Sequence, residues 1–347
     1  MNNARFSGVT LNDVARLVGV HPSTVSRALD PARSGLVKEE TRRRVVEAAQ
    51  RLGYRPDMIA RSLQSGRTAT VGVVVADLGN MFVTPIIHGI ASALEVAGIM
   101  PVIAETQDDH VRFSAILDHL LSRRVDAIVT AAAREADQAI LESAARIVPV
   151  VVTGRPLPGS SLPQVIHDDR KGGEMVARHF AELGHRRVCQ LRGPLDVGNF
   201  AQRSEGFSRV CRELGLEEVV LDVTGDRPVI EEGERLMRAL LDQVGGPDGL
   251  PTALFAQNDL MAAGALEVLN ELGVAVPEHV SLVGYNDLPM VDLIDPPLTT
   301  VRYPSLEVGK AAGDLVVKLL EGERAENVCL EPVLVSRKST APPRSTQ

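Results

Sequence analysis

The sequence predicts a small all-α unit at the N-terminus followed by a larger α/β body of two lobes, each built on a parallel sheet. Three observations predict it. Residues 1–67 hold 12 Lys and Arg against 6 Asp and Glu, whereas the remainder holds 25 against 39. Within that basic end, short helical periodicities are separated by a glycine. From Thr70 onward, short β-branched runs alternate with helical stretches in two successive series. An acidic chain that keeps its positive charge at one end is equipped to approach a polyanion with that end only.

Thr10 is placed to cap a first helix, and Asp13 falls in the first turn, where the helix dipole favours a carboxylate. Leu11, Val14, Ala15 and Val18 share one face. Gly19 stands where the chain must turn, and Val20 enters the core. Val25 and Leu29, with Ala28 beside them, form the buried face of a second helix. The spacing of Ala15, Gly19 and Val25 fits a helix-turn-helix, whose second helix lies in the DNA major groove. Its opposite face presents Pro22, Ser23, Ser26 and Arg27. Arg27 can reach a guanine edge bidentately, while Thr24 and Ser26 suit phosphate oxygens. A generic αα-hairpin fits the same pattern. Thr41, Val45, Val46, Ala49 and Leu52 add a third amphipathic helix ended by Gly53, which favours a DNA-binding module. Arg42, Arg43 and Arg44 are expected to face outward.

In the next segment Pro56 and Asp57 mark a helix start and Gly66 its end. It is too short to be helical alone in water. Ile59 and Leu63 share a face, so two copies could pair, and a leucine at the tip could wedge into the minor groove. A plain interdomain linker fits the same residues.

Thr10 to Gly66 closely resembles the headpiece and hinge of the LacI/GalR family of bacterial transcriptional regulators, in the pattern T-L-x-D-V-A-x-x-x-G-V-x-x-x-T-V-S-R. The likeness continues through the rest of the chain. It implies that Pro22, Ser23 and Arg27 read bases and that Leu63 is the intercalating hinge leucine. Thr10, His21, Thr24, Ser26, Tyr54, Ala60 and Arg61 complete the expected DNA-contacting set. His21 stands where the family often has Ser, and Arg61 where it has an amide or alanine. The segment from Pro31 to Gly35 is about two residues longer than usual for the family. The resemblance gives a headpiece over 8–55, a hinge helix and linker over 56–67, and a periplasmic-binding-protein-like effector domain over 68–340. Its first lobe would span about 68–166 and 298–330, its second about 167–297 and 331–340.

Open α/β sheets bind ligands beyond the carboxyl ends of their strands. The residues placed there are Asp77, Asn80 and Phe82, then Arg155, then Asn199 and Arg203, then Phe255 and Asn258, and last Asn286. Neutral amides with one or two arginines suit hydroxyls and a carboxylate or phosphate. They provide no acid/base pair and no nucleophile–base pair, so no enzyme is expected. Each of these residues taken alone fits a cap or turn as well as a ligand contact, and Asp168 and Asp259 immediately precede helices, as N-caps do. The resemblance implies that Arg203 grips the effector, that Asn258 belongs to an N-D-x-M-A-x-G motif, and that Asn286 replaces an acid that holds sugar hydroxyls. Gly154 stands where many sugar-responsive members have Asp. The chain contains no Trp, which removes the best stacking platform for a pyranose. The expected effector is a small molecule, a sugar or a sugar derivative, and these departures argue against an ordinary neutral sugar.

There is no phosphate-cradling G-x-x-x-x-G-K-[ST] loop and no strand-linked G-x-G-x-x-G. The three cysteines fit no metal spacing and the eight histidines give no i, i+4 pair; no cofactor and no metal are expected. No apolar run is long enough to cross a bilayer, and no signal-peptide pattern opens the chain. The expected protein is a cytoplasmic, effector-controlled repressor. It would bind a pseudopalindromic double-stranded operator as a homodimer, without a tetramerising leucine heptad. The alternatives are lobes that answer to a protein partner and a solute-binding protein.

Overall fold

The structure is a computed structural model that describes residues 9–30, 34–55 and 66–344. It falls into two units, the chain up to Thr68 and the chain from Ala69 onward. Pro31–Arg33 and the expected hinge contacts Ala60, Arg61 and Leu63 lie outside the described residues.

In the first unit, α1 (Leu11–Val18), α2 (Pro22–Leu29) and α3 (Glu39–Leu52) surround one aliphatic core. Thr10 and Asp13 form a capping box at the start of α1, with the Thr10 N–H and hydroxyl donating to the Asp13 carboxylate at 2.9 and 2.7 Å. Gly19 ends α1 at φ 74°, a left-handed conformation that costs glycine least. His21 caps α2, its Nδ1 accepting the Ser23 N–H at 3.2 Å. Val14, Ala15, Val18, Val25, Ala28, Val45, Ala48 and Ala49 are buried together. Arg44, expected to point outward, donates to the Val18 carbonyl at 2.8 Å. That is the C-terminal end of α1, where orphan carbonyls and the dipole favour a cation.

The second unit contains two six-stranded sheets. The first has the order β11-β5-β4-β3-β1-β2, from Val328–Leu330, Gln164–His167, Val150–Thr153, Ala127–Thr130, Thr70–Val75 and Met100–Glu105. All of its pairings are parallel. The second has the order β12-β10-β9-β8-β6-β7, from Val333–Val335, Thr299–Arg302, Ser281–Asn286, Ala253–Ala256, Arg187–Leu191 and Glu217–Val219. It is parallel except for β12, which runs antiparallel to β10 at the edge. The inner strands β1, β3, β4, β8 and β9 are almost continuously buried, as sheets covered on both faces by helices require.

The helices of this unit are α4 (Val83–Val96), α5 (His110–Ser122), α6 (Gln138–Ala144), α7 (Asp169–Leu183), α8 (Gly198–Leu214), α9 (Ile230–Val244), α10 (Asp259–Glu271) and α11 (Ser305–Leu320). The chain crosses between sheets three times, after β5, after β10 and between β11 and β12. The second crossing corrects the expected boundary at Leu298: Thr299–Arg302 pairs with β9 and stays in the second lobe. Beside the first and third crossings, the Asp168 N–H donates to the Leu330 carbonyl at 2.9 Å, which ties the two segments together. Among the described residues, no helix is long and apolar enough to cross a membrane.

Candidate functional site

Between the lobes lies a cavity of about 690 Å³, open at one side, into which the carboxyl ends of both sheets point. Eight of the nine residues placed there by sequence line it: Asp77, Asn80, Phe82, Arg155, Asn199, Arg203, Asn258 and Asn286. Phe255 does not. It is fully buried in β8, with its ring centroid 5.4 Å from Phe207 and 6.3 Å from Tyr285, and belongs to the core. Side chains alternate along a strand, so a residue near the carboxyl end points either to the cleft or beneath a helix.

Arg203 is the most constrained of the set. Its side chain is 1% exposed and its Nε donates to Asp169 at 2.7 Å, while one terminal nitrogen donates to the Gln257 carbonyl at 2.6 Å. The guanidinium lies 3.7 Å above the Tyr285 ring. It reaches this place because α7 and α8 nearly touch: a Cβ on Gly173 would fall 2.1 Å from the Arg203 carbonyl, and one on Gly206 2.0 Å from that of Arg170. Burial pushes the Asp169 carboxyl up, but the Arg203 guanidinium and His167 outweigh it and hold the carboxyl below its usual value. His167 also meets the Tyr285 hydroxyl at 3.2 Å. These residues sit where the chain first crosses between lobes, so the cavity floor and the crossing are one packed unit.

Asn258 caps α10, its Oδ1 accepting the Met261 N–H at 2.7 Å and its Nδ2 donating to the Pro228 carbonyl at 3.0 Å. Asp259 is therefore not the cap. It is a carboxyl 2% exposed, bonded to the Thr300 hydroxyl at 2.6 Å and the Leu288 N–H at 2.7 Å. Burial pushes it up to about 7. Asp168, by contrast, caps α7 as expected. Asn286 is almost fully buried at a φ of 113°. Its Oδ1 has no partner among the described residues.

On the first lobe, Arg155 grips Asp108 with both terminal nitrogens, at 2.5 and 3.1 Å. Arg134 approaches the same carboxylate at 3.7 Å and also binds Asp196 of the second lobe. The Asp77 carboxylate accepts the Gly79 N–H and Asn80 accepts that of Phe82, so both shape the loop after β1. Sequence reasoning missed Asp108, Arg134 and Arg227, which line the cavity. The carboxyl-end rule, applied to β2 and β3, points to the first two. Arg227 lies far beyond β7 and carries no such signal.

In the first unit, Ser23 and Arg27 are exposed on α2, Pro22, Thr24 and Ser26 are half-buried, and Tyr54 packs against the core. The Thr10 hydroxyl and one nitrogen of His21 are occupied in caps. The arrangement offers an outward-facing helix for a duplex groove and a polar cavity for a small molecule. Among the described residues it offers no cluster of acids, histidines and cysteines able to hold a metal.

A basic helical headpiece carried by a two-lobed α/β ligand-binding body defines a class of DNA-binding regulators. Residues 10–57 match the lacI family of bacterial regulatory proteins, and residues 177–340 match the periplasmic binding protein-like domain. The transcriptional regulator GalS of Salmonella typhimurium is 32% identical, over 96% of this chain and 97% of its own. The repressor PurR of Photobacterium profundum is 31% identical, over 95% and 98%. The lac repressor dimer bound to operator and the anti-inducer ONPF superposes with a TM-score of 0.87 at 25% identity, covering 96% of this chain and 100% of that one. The chain belongs to the LacI family: it is a DNA-binding transcriptional regulator modulated by a small-molecule effector.

Proposed function

We propose that this protein is a cytoplasmic repressor that binds a pseudopalindromic operator as a homodimer and is controlled by a sugar derivative held between its lobes. The observation that carries the reading is the coexistence in one chain of an exposed α2 face and a cavity lined by arginines and amides. Several relatives bear the name of repressor, one of them is the ribose operon repressor, and the regulator CelR is solved in complex with cellobiose. A dimer is supported by the edge strand β2, which leaves Met100, Val102 and Ile103 exposed beside Val96 and Val111. Symmetric pairing matches the symmetry of two half-sites.

The DNA-contacting set is Thr10, His21, Pro22, Ser23, Thr24, Ser26, Arg27 and Tyr54 with the hinge residues Ala60, Arg61 and Leu63. Effector binding would alter the lobe-to-lobe angle. A coupling energy of about 1.4 kcal/mol suffices to change operator affinity tenfold. The test is an anisotropy titration on an operator obtained by selection from random duplexes. Arg27→Ala is expected to lose about 1–3 kcal/mol on that operator and little on random DNA. An equal loss on both would make Arg27 a phosphate contact.

A further inference from the structure

The polar lining of the cavity is unequal in the kind of group it leaves unmatched. Arg134 and Arg155 of the first lobe pair with one carboxylate, Asp108, and Arg227 of the second lobe lines the same cavity without an ion pair to it. Burial pushes that carboxyl up, but Arg155, Arg134 and Arg227 outweigh it and hold it below its usual range. Arg155 takes the carboxylate bidentately, so Arg134, 3.7 Å from it, and Arg227, which feels Glu232 at longer range, are only partly neutralised. Only Asp196, 62% exposed and reaching across from the other lobe, offsets Arg134. The two acids elsewhere on the wall, Asp77 and Glu105, are turned to the N–H groups of Gly79 and Leu78.

The buried atoms without partners tell the same story. Arg134 Nε and Arg203 Nη2 are donors with no acceptor among the described residues, and Asn286 Oδ1 is the one such acceptor on the wall. A neutral sugar brings hydroxyls, each as much donor as acceptor, and leaves the guanidinium charge unmatched. A phosphate or carboxylate is acceptor-only and suits the planar fork of arginine.

We propose that the cavity takes an anionic, hydroxyl-bearing metabolite, a sugar phosphate or sugar acid, with its oxyanion between Arg134 and Arg227 and its hydroxyls on Arg203 and Asn286. The oxyanion displaces Asp196 from Arg134, so ligand binding exchanges one contact across the cleft for another. This inference rests on the reading that a small molecule between the lobes controls operator binding.

The test follows thermal melting and operator affinity of the full chain with three matched sets: hexoses and pentoses, their monophosphates, and their aldonic and uronic acids. At least one anionic member is expected to raise the melting temperature and change operator affinity, with its neutral parent about 30-fold weaker. The responding set tells phosphate from carboxylate. Arg134→Gln and Arg227→Gln are each expected to weaken that member about tenfold, with the melting curve of the unliganded variant reporting that it folds. A neutral sugar bound as tightly as its anionic derivative, with both variants indifferent, overturns the inference and leaves small-molecule control standing. If no member of any set alters operator binding, that underlying reading falls as well.

Discussion

In the headpiece every fully buried side chain among the described residues is aliphatic, from Val14 to Ala49, whereas the body buries His167, Asp169, Arg203, Asn258 and Asp259 beside its cavity. The first arrangement leaves Ser23 and Arg27, proposed to contact DNA, exposed outside a small core, where they contribute little to folding. The second sets ligand-facing groups into the same packing that holds the lobes together. Binding and stability are thus separable in the headpiece and coupled in the body.

The largest expected effect tests the coupled side. Asp169→Ala leaves the Arg203 guanidinium buried without its partner, and should cost about 3–5 kcal/mol in urea unfolding of the body. A loss below about 1 kcal/mol, the level of an exposed ion pair, would show that the cavity floor is as separable as the headpiece surface.

A second effect concerns Asp259, whose carboxyl rises from 3.8 to about 7 on folding. Below 3.8 both states hold the proton. Between these values the folded chain keeps a proton that the unfolded chain has released, so stability falls as pH rises, by up to about 1.4 kcal/mol for each pH unit, and levels off above 7. Asp259→Asn should flatten this part of the stability–pH curve; an unchanged slope assigns the dependence to other groups.

The smallest effect lies in the headpiece. Thr10→Ala removes one side of the capping box and should cost about 1 kcal/mol of headpiece stability, read by thermal unfolding. A much larger loss would contradict the separation of surface from core.

Much of the fold was legible because its signals are local. Thr10, Gly19 and Gly53 punctuate helices through side-chain size and backbone angle, and those ends lie where the sequence places them. The apolar runs at β1, β3 and β8 likewise read as strands. The strands β5 and β10, of the same length as β3 and β8, begin and end in polar residues, and β11 and β12 have three residues each, too few to show a period. The neighbouring acids differed too: Asp168 caps its helix, whereas at Asn258-Asp259 the cap belongs to the residue one earlier.

What the sequence determines by itself is the basic helical headpiece, the alternation of strands and helices in the body and most of the polar residues that follow its strands. Helix capping and hydrophobic periodicity act within a few residues, so composition and spacing suffice. The tertiary structure alone decides that Arg155 meets Asp108, that Arg203 meets Asp169, that Phe255 turns into the core and that Arg227 faces the cleft. Those partners are brought together by sheet order and by helices touching through glycine, and charges attract according to distance in space, which spacing along the chain does not encode.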